Sequence, residues 1–388
     1  MTIDIHRADL ASDRLDVRVA AVTALGQLLA VPAPDGDHDA IVRELVAFVR
    51  RAVPDPRLGH HSPLGLSGRD PVPLAADVQA VLTALARRHE AVEAHRLELF
   101  ALDLRSADLN HGRWTHARLA GSDLHDAVLG AADLRDADLS RTFLERADLS
   151  SAQLGRANLT SAYLGEANLR NVQAAHARFW GADLHHAHAE DARLEFADLH
   201  RAKLDHADLR RAQLPYASFN AASARHARFG GALLHFADLR EAELDDADLT
   251  RARLDNANLS NARLRNARFA DASLRGCDVV RVQAQYADLH GADLSHAGLG
   301  ASDLSYADLR GADLSDAYMF NTRLHRADLA GARLDQANLH SADLTEAWGL
   351  EPEQLGTAWI YEKTRLDAEL ARHPLVRERI AATESRFD

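Results

Sequence analysis

Cysteine and lysine are nearly missing from this 388-residue sequence, and proline thins out after its first 73 residues. The lone cysteine, Cys277, excludes an intramolecular disulfide framework and a cysteine-based zinc site. Lysine occurs twice, at 203 and 363, and the formal charge is −13. A general nucleic-acid binder is therefore not expected, because phosphate neutralisation needs clustered Lys and Arg. No apolar run approaches the roughly 20 residues of a membrane span, and no secretory signal precedes Asp13. These absences predict a soluble, cytoplasmic protein with no membrane role. The motifs of common enzymes are also missing. There is no Gly-rich phosphate loop, no nucleophile elbow and no His-x-x-x-His pair with a glutamate base. Paired carboxylates need a concave, water-poor site to act as acid and base, so no catalytic residues, metal or cofactor are predicted.

What is present is a period of five. From Leu99 to Leu344 nearly every fifth residue is Leu, as at 104, 109, 119, 124, 129 and 134. Most exceptions are apolar, among them Trp114, Phe179, Phe219, Phe229, Phe269, Val279 and Met319. Two residues earlier stands a small residue, usually Ala, and between the two stands Asp or Asn in many units. Residues two apart on an extended segment face the same way, so Ala and Leu point inward together and Asp points out. A period of five fits neither a helix nor a continuous strand, but it fits extended triplets joined by two-residue corners. A small residue beside a large one suits a narrow interior filled identically in every coil.

Units such as Ala147-Asp148-Leu149-Ser150-Ser151 and Ala257-Asn258-Leu259-Ser260-Asn261 resemble those of the pentapeptide-repeat family. The resemblance covers about two thirds of the chain. It implies a mainly β fold, a right-handed quadrilateral β-helix with four units per coil and about twelve coils. Coils stacked about 4.8 Å apart would make a rigid rod roughly 60 Å long.

The expected domains are 1–95, helical; 96–348, the β-helix; and 349–388, a helical cap. In the first, Leu15, Val19, Val22, Leu25 and Leu29 mark a helix started by Ser12 or Asp13. Ile41, Leu45, Phe48 and Ala52 mark a second helix, and Val78, Leu82 and Leu85 a third. The stretch from Arg14 to Leu25 resembles the HEAT-like segment that precedes the repeats in many actinobacterial members of the family. Residues 351–388 read as two short helices broken at Pro374, with Leu366, Leu370, Leu375, Val376 and Ile380 covering the last coil. Trp114 is expected to plug the first coils, and Cys277 to be buried and inert.

Two surface features are candidate binding sites. One is an acidic line through Asp103, Asp123, Asp183, Glu243, Asp245, Asp246 and Asp303, because some relatives bind DNA gyrase by imitating duplex DNA. Residues 101–350 carry 36 acids against 28 bases. That is roughly one net charge per 7 Å, far below the one per about 1.7 Å of B-DNA. The other is a row of aromatics on one corner, Phe196, Tyr216 and Phe236. A second stacked row, His186, His206 and His226, has no carboxylate or thiolate to complete a ligand set, so no metal is predicted. The expectation is a non-enzymatic interaction scaffold with a protein partner. The alternative is a gyrase-directed DNA mimic that protects against quinolones. The chain would act as a monomer or as a homodimer through its C-terminal helices.

Overall fold

A computed structural model describes residues 2–31, 37–53, 73–89 and 97–386. It divides into two compact units, Met1–Arg193 and Leu194–Asp388, so the division falls within the repeats.

The first unit begins with four helices: α1 (Thr2–Leu10), α2 (Leu15–Leu29), α3 (Asp37–Ala52) and α4 (Ala76–Ala86). The apolar stripes predicted α2, α3 and α4. They bury Val22, Leu25, Leu29, Ile41, Leu45, Leu82 and Leu85 almost completely. Helix α1 was not foreseen. The N-cap of α2 is Arg14 rather than Ser12 or Asp13, and the Ser12 hydroxyl accepts the Arg14 N–H at 3.2 Å.

From Glu98 the chain of this unit winds into coils of twenty residues. Parallel bridges join each outward triplet centre to its equivalent one coil later, as in Glu98↔Arg118, Asp103↔Asp123 and Asp108↔Val128. Four such positions, five residues apart, give every coil four sides. Among the described residues the pairing is confined to these single bridges, with no longer strand. The triplet is too short for more before a corner intervenes.

The corner explains the period. The Ala107 N–H donates to the Leu104 carbonyl at 3.1 Å, and Ser106 has φ +57°. A bond from residue i+3 to i with positive φ only at i+2 is a type II turn. The same turn recurs at nearly every unit (at Leu102 and Val282 the N–H donates to the Ser122 and Ser302 hydroxyls instead), with non-glycine φ values from +50° at Ala131 to +63° at Asn261 and Tyr306. Each costs about 1–2 kcal/mol in a non-glycine residue. Two interactions offset that cost. One is the ladder, as where Leu104 N–H donates to Asp123 at 2.7 Å and Asp123 N–H to Leu102 at 2.8 Å. The other is burial of the Ala and Leu of each unit, at about 1.5–3 kcal/mol per leucine.

A few inward positions carry a polar atom, and each finds a carbonyl of the preceding coil. Ser122, Thr142, Ser302, Thr322 and Cys277 donate to Leu99, Leu119, Val279, Leu299 and Leu254. Burial pushes the Cys277 thiol up to about 12.

At the start of the coils, α4 supplies substitutes for missing backbone. The Gln79 side-chain amide donates to the Asp108 carbonyl at 2.6 Å and accepts the Asp108 N–H at 2.9 Å, as a neighbouring coil would. Trp114 is fully buried and donates to Leu109 at 3.0 Å. Gly112 leaves room for it, since a Cβ there would lie 2.2 Å from Trp114 Nε1.

The second unit holds coils of the same kind and ends in three helices, not two: α5 (Pro352–Thr357), α6 (Ala368–Arg372) and α7 (Pro374–Glu384). The repeat pattern stops at Trp348, yet the ladder goes on through Asn338↔Trp359 and Asp343↔Arg365. Helix α5 stands where one unit would, and Gln354 donates to Leu329 and Ala332 at 2.9 and 2.8 Å. Leu355, Ala358 and Ile360 are fully buried at this end. Of the residues expected to cover it, only Val376 is buried, and Leu375 is 41% exposed. No helix among the described residues is long and apolar enough to cross a membrane.

Candidate interaction surfaces

The outward Asp or Asn of a unit has a structural task set by the turn. Its carboxyl oxygen accepts the N–H of the residue two later, the first corner residue. Four of the predicted acidic residues do this: Asp103 for Arg105 at 3.4 Å, Asp123 for His125 at 3.2 Å, Asp183 for His185 at 3.3 Å and Asp303 for Ser305 at 3.1 Å. This is the Asx turn, the reason Asp and Asn are favoured beside corners.

The same carboxylates also hold basic side chains. Arg105 lies 2.6 Å from Asp103 and 3.8 Å from Asp123. His125 is held between Asp123 at 2.6 Å and Glu145 at 3.0 Å, on consecutive coils. Burial would lower the His125 pKa, but these two carboxylates outweigh it and hold the imidazole above its usual value. Burial raises the Glu145 carboxyl. Asp183 pairs with His185 at 2.8 Å.

In the second unit Glu243 pairs with Arg225 and, at 3.2 Å, with Arg263. Asp245 is buried, lies 2.6 Å from Arg263 and accepts the Arg265 N–H at 3.1 Å. Asp303 takes Gln285 at 2.8 Å and Arg323 at 3.6 Å. Burial opposes ionisation of Asp303, but its bonds from Ser305 and Gln285 and the Arg323 charge hold it below the usual carboxylate range. Asp246 stands apart as an exposed corner residue at φ +60°. Acids on this side are thus interleaved with bases, one coil against the next.

The aromatic row is arranged differently. Phe196, Tyr216 and Phe236 occupy the positive-φ corner position of successive coils. Their rings stack at 4.9 and 5.0 Å with interplanar angles of 2° and 4°. They are 49, 51 and 49% exposed, so each ring turns an edge to solvent. His206 and His226 stack in the same way at 4.8 Å, while His186 belongs to the first unit and meets His185 edge-on at 5.9 Å. Among the described residues no three His, Cys, Asp or Glu side chains come together to hold a metal.

Sequence reasoning missed a second aromatic group. Tyr286 and Tyr306 stack at 4.9 Å, and Arg326 lies over Tyr306 at 5.8 Å. The signal was the spacing of twenty, the same one that revealed the first row.

Comparison with known proteins agrees with this geometry. The family model for pentapeptide repeats (8 copies) matches overlapping windows from residue 99 to 348. No curated protein matches. Among solved structures the chain is similar to HetL, a pentapeptide repeat protein involved in heterocyst differentiation regulation from the cyanobacterium Nostoc sp. strain PCC 7120. Identity is 32% over 57% of this chain and 89% of HetL, with a TM-score of 0.25. It is also similar to QnrB1, a plasmid-mediated fluoroquinolone resistance protein, at 20% identity over 49% of this chain and 95% of that one, TM-score 0.37. A third, Rfr23 from the cyanobacterium Cyanothece 51142, is 21% identical over 32% and 82% of the two chains, TM-score 0.11. At these scores none of the superpositions carries an argument about function. The family match spans well over half of the chain, and the five-residue unit it describes is the one that builds the corners and bridges from residue 99 to 348: the chain belongs to the pentapeptide-repeat family.

Proposed function

We propose that the protein is a non-enzymatic interaction scaffold whose stacked coils present rows of side chains to a protein partner. The observation that carries this reading is the Phe196–Tyr216–Phe236 ladder, three half-exposed rings fixed in line by their corners. Large aromatics held in one orientation are the anchors that protein interfaces favour. In this reading residues 1–95 are a HEAT-like module, 96–348 a right-handed quadrilateral β-helix and 349–388 the cap, and the chain works in the cytoplasm. It acts alone or as a homodimer through its C-terminal helices.

The alternative, a gyrase-directed DNA mimic, needs an acidic face free to meet a basic partner. Engagement of Asp103, Asp123, Asp183, Glu243, Asp245 and Asp303 by turns and bases supports the scaffold instead. The scaffold is tested with a photo-crosslinking amino acid at position 216 and, separately, at position 183. The expected result is one dominant protein adduct from 216 that Phe196→Ser and Phe236→Ser abolish. A dominant adduct from 183 alone, or none from 216, would overturn it.

A further inference from the structure

The ladder has two unlike flanks, and together they describe a partner. Two residues after the rings, on the next side, Asp198, Ser218, Asp238, Asn258, Asp278 and Gly298 form one bridged column. It carries an acid on every second coil and no base. On the other flank stand Pro215 and Leu233, both half-buried, with Gln213 bridged to Leu233. An apolar ribbon is thus bordered by carboxylates on one side, while on the other the Gln213–Leu233 column runs on to Arg253 and the ring corner carries Glu195 and His235, the latter held by Asp255 at 3.0 Å. The positions are rigid, because ladder bonds hold the corners: Phe196, Tyr216 and Phe236 N–H groups donate to Pro215, His235 and Asp255 at 3.0, 3.0 and 3.1 Å.

We infer that this ladder and the Asp198–Asp238–Asp278 column form one docking surface for a basic amphipathic helix of a partner protein. The inference rests on the scaffold reading and adds the partner's chemistry to it. Two arguments carry it. The first is register. The outer rings of the ladder are about 10 Å apart, and two turns of α-helix rise about 10.8 Å. A helix laid along the column therefore sets apolar side chains at i, i+4 and i+7 against the three rings. The acids two coils apart match cations seven residues apart on its adjoining edge. The second is charge. Asp198 and Asp278 face that edge in a column without a base, and Glu195 adjoins Phe196. The opposing groups close by are Arg240, which holds Asp238 at 2.6 Å, Arg253, one coil beyond Leu233, His200 and Arg201 at the corner after Asp198, and His235, which Asp255 holds at 3.0 Å. The Arg240 bond holds the Asp238 carboxyl below its usual value. An acidic helix would meet like charge, whereas a basic one completes the pattern.

The test uses the full chain and two synthetic 21-residue helices with the same leucine stripe, one bordered by lysine and one by glutamate. Fluorescence anisotropy should show the lysine helix binding, at least tenfold tighter than the glutamate helix. Tyr216→Ser should weaken it about tenfold, as loss of a central aromatic anchor does. Tyr216→Lys keeps the corner, adds a repelling charge and should weaken it at least as much. Asp198→Asn with Asp278→Asn should weaken it about threefold and flatten its salt dependence. Tyr286→Ser with Tyr306→Ser should leave binding unchanged. Equal binding of the two helices, or indifference to both Tyr216 variants, would overturn the inference. So would self-association of the chain that Tyr216→Ser abolishes, which would place a second copy on the ladder. If the lysine helix fails while position 216 still crosslinks one protein, the partner chemistry is wrong and the scaffold stands. If both fail, the scaffold falls too.

Discussion

The acidic positions of the first unit and the aromatic corner of the second are built on the same repeat, yet they do opposite things. At Asp103, Asp123 and Asp183 the side chain turns back to its own backbone, accepts the corner N–H and pairs with a neighbouring basic side chain. At Phe196, Tyr216 and Phe236 the backbone is fixed by the ladder and the side chain is left to face solvent. Exposure and charge therefore do not by themselves mark a binding surface in this architecture. The triplet centre tends to serve the turn, and the positive-φ corner is where the fold leaves choice.

The comparison can be broken or sharpened by substitution. The largest effects should lie beneath both regions. Leu124→Ala and Leu214→Ala each remove a fully buried leucine and should cost about 2–5 kcal/mol, read as a lower urea midpoint. An equal tolerance of both would mean that the coils are not close-packed. Next comes the turn acid. Asp123→Ala strips an N–H of its acceptor and His125 of a counter-charge, for a loss of about 1–3 kcal/mol. Asp103→Asn keeps the acceptor and should cost under about 0.5 kcal/mol. Tyr216→Ser belongs with the small changes in stability, despite its large expected effect on binding.

The titrations are smaller and differ in sign. The Asp303 carboxyl is depressed in the folded state, so its contribution is present above the unfolded carboxylate pKa of about 3.9. It is lost as pH falls through the lower folded value. The His125 pKa is raised, so its contribution is complete below about 6.5 and is lost as pH rises through the folded value. Proton NMR should find His125 titrating above 6.5 and Asp123→Asn moving it down; an unmoved midpoint would remove Asp123 as the partner. Smallest of all, Cys277 should resist maleimide at pH 8 until the chain unfolds, since its thiol pKa is pushed to about 12.

Much of this was legible in the sequence because the interior repeats. A leucine every fifth residue, with a small residue two before it, dictates triplets and corners, and stacking by twenty exposes the aromatic row. Trp114 and Cys277 are buried where their inward positions put them. The legibility ended where geometry depends on atoms rather than period. No period shows that Asp103 reaches the Arg105 N–H, or that Arg146 and Arg156 reach back one coil to Asp126 and Asp136 at 2.7 and 2.6 Å. The acids therefore read as a face when most are interior to a hydrogen-bond pattern. At the C-terminal end the repeat disappears before the ladder does. A bridge spaced 22 residues, Asp343↔Arg365, cannot be found by looking for twenty. Helix α1 has no apolar stripe strong enough to announce it.

The central claim is that the acidic line through Asp103, Asp123, Asp183 and Asp303 is not the binding surface. The most direct measurement is a DNA gyrase supercoiling assay with increasing protein, run with the wild-type chain and with Asp103→Asn, Asp123→Asn, Asp183→Asn and Asp303→Asn combined. The account predicts that neither protein changes supercoiling or protects gyrase from a fluoroquinolone. Inhibition or protection by the wild-type chain at low micromolar concentration, relieved in the combined variant, would contradict it and make the acidic line the working surface.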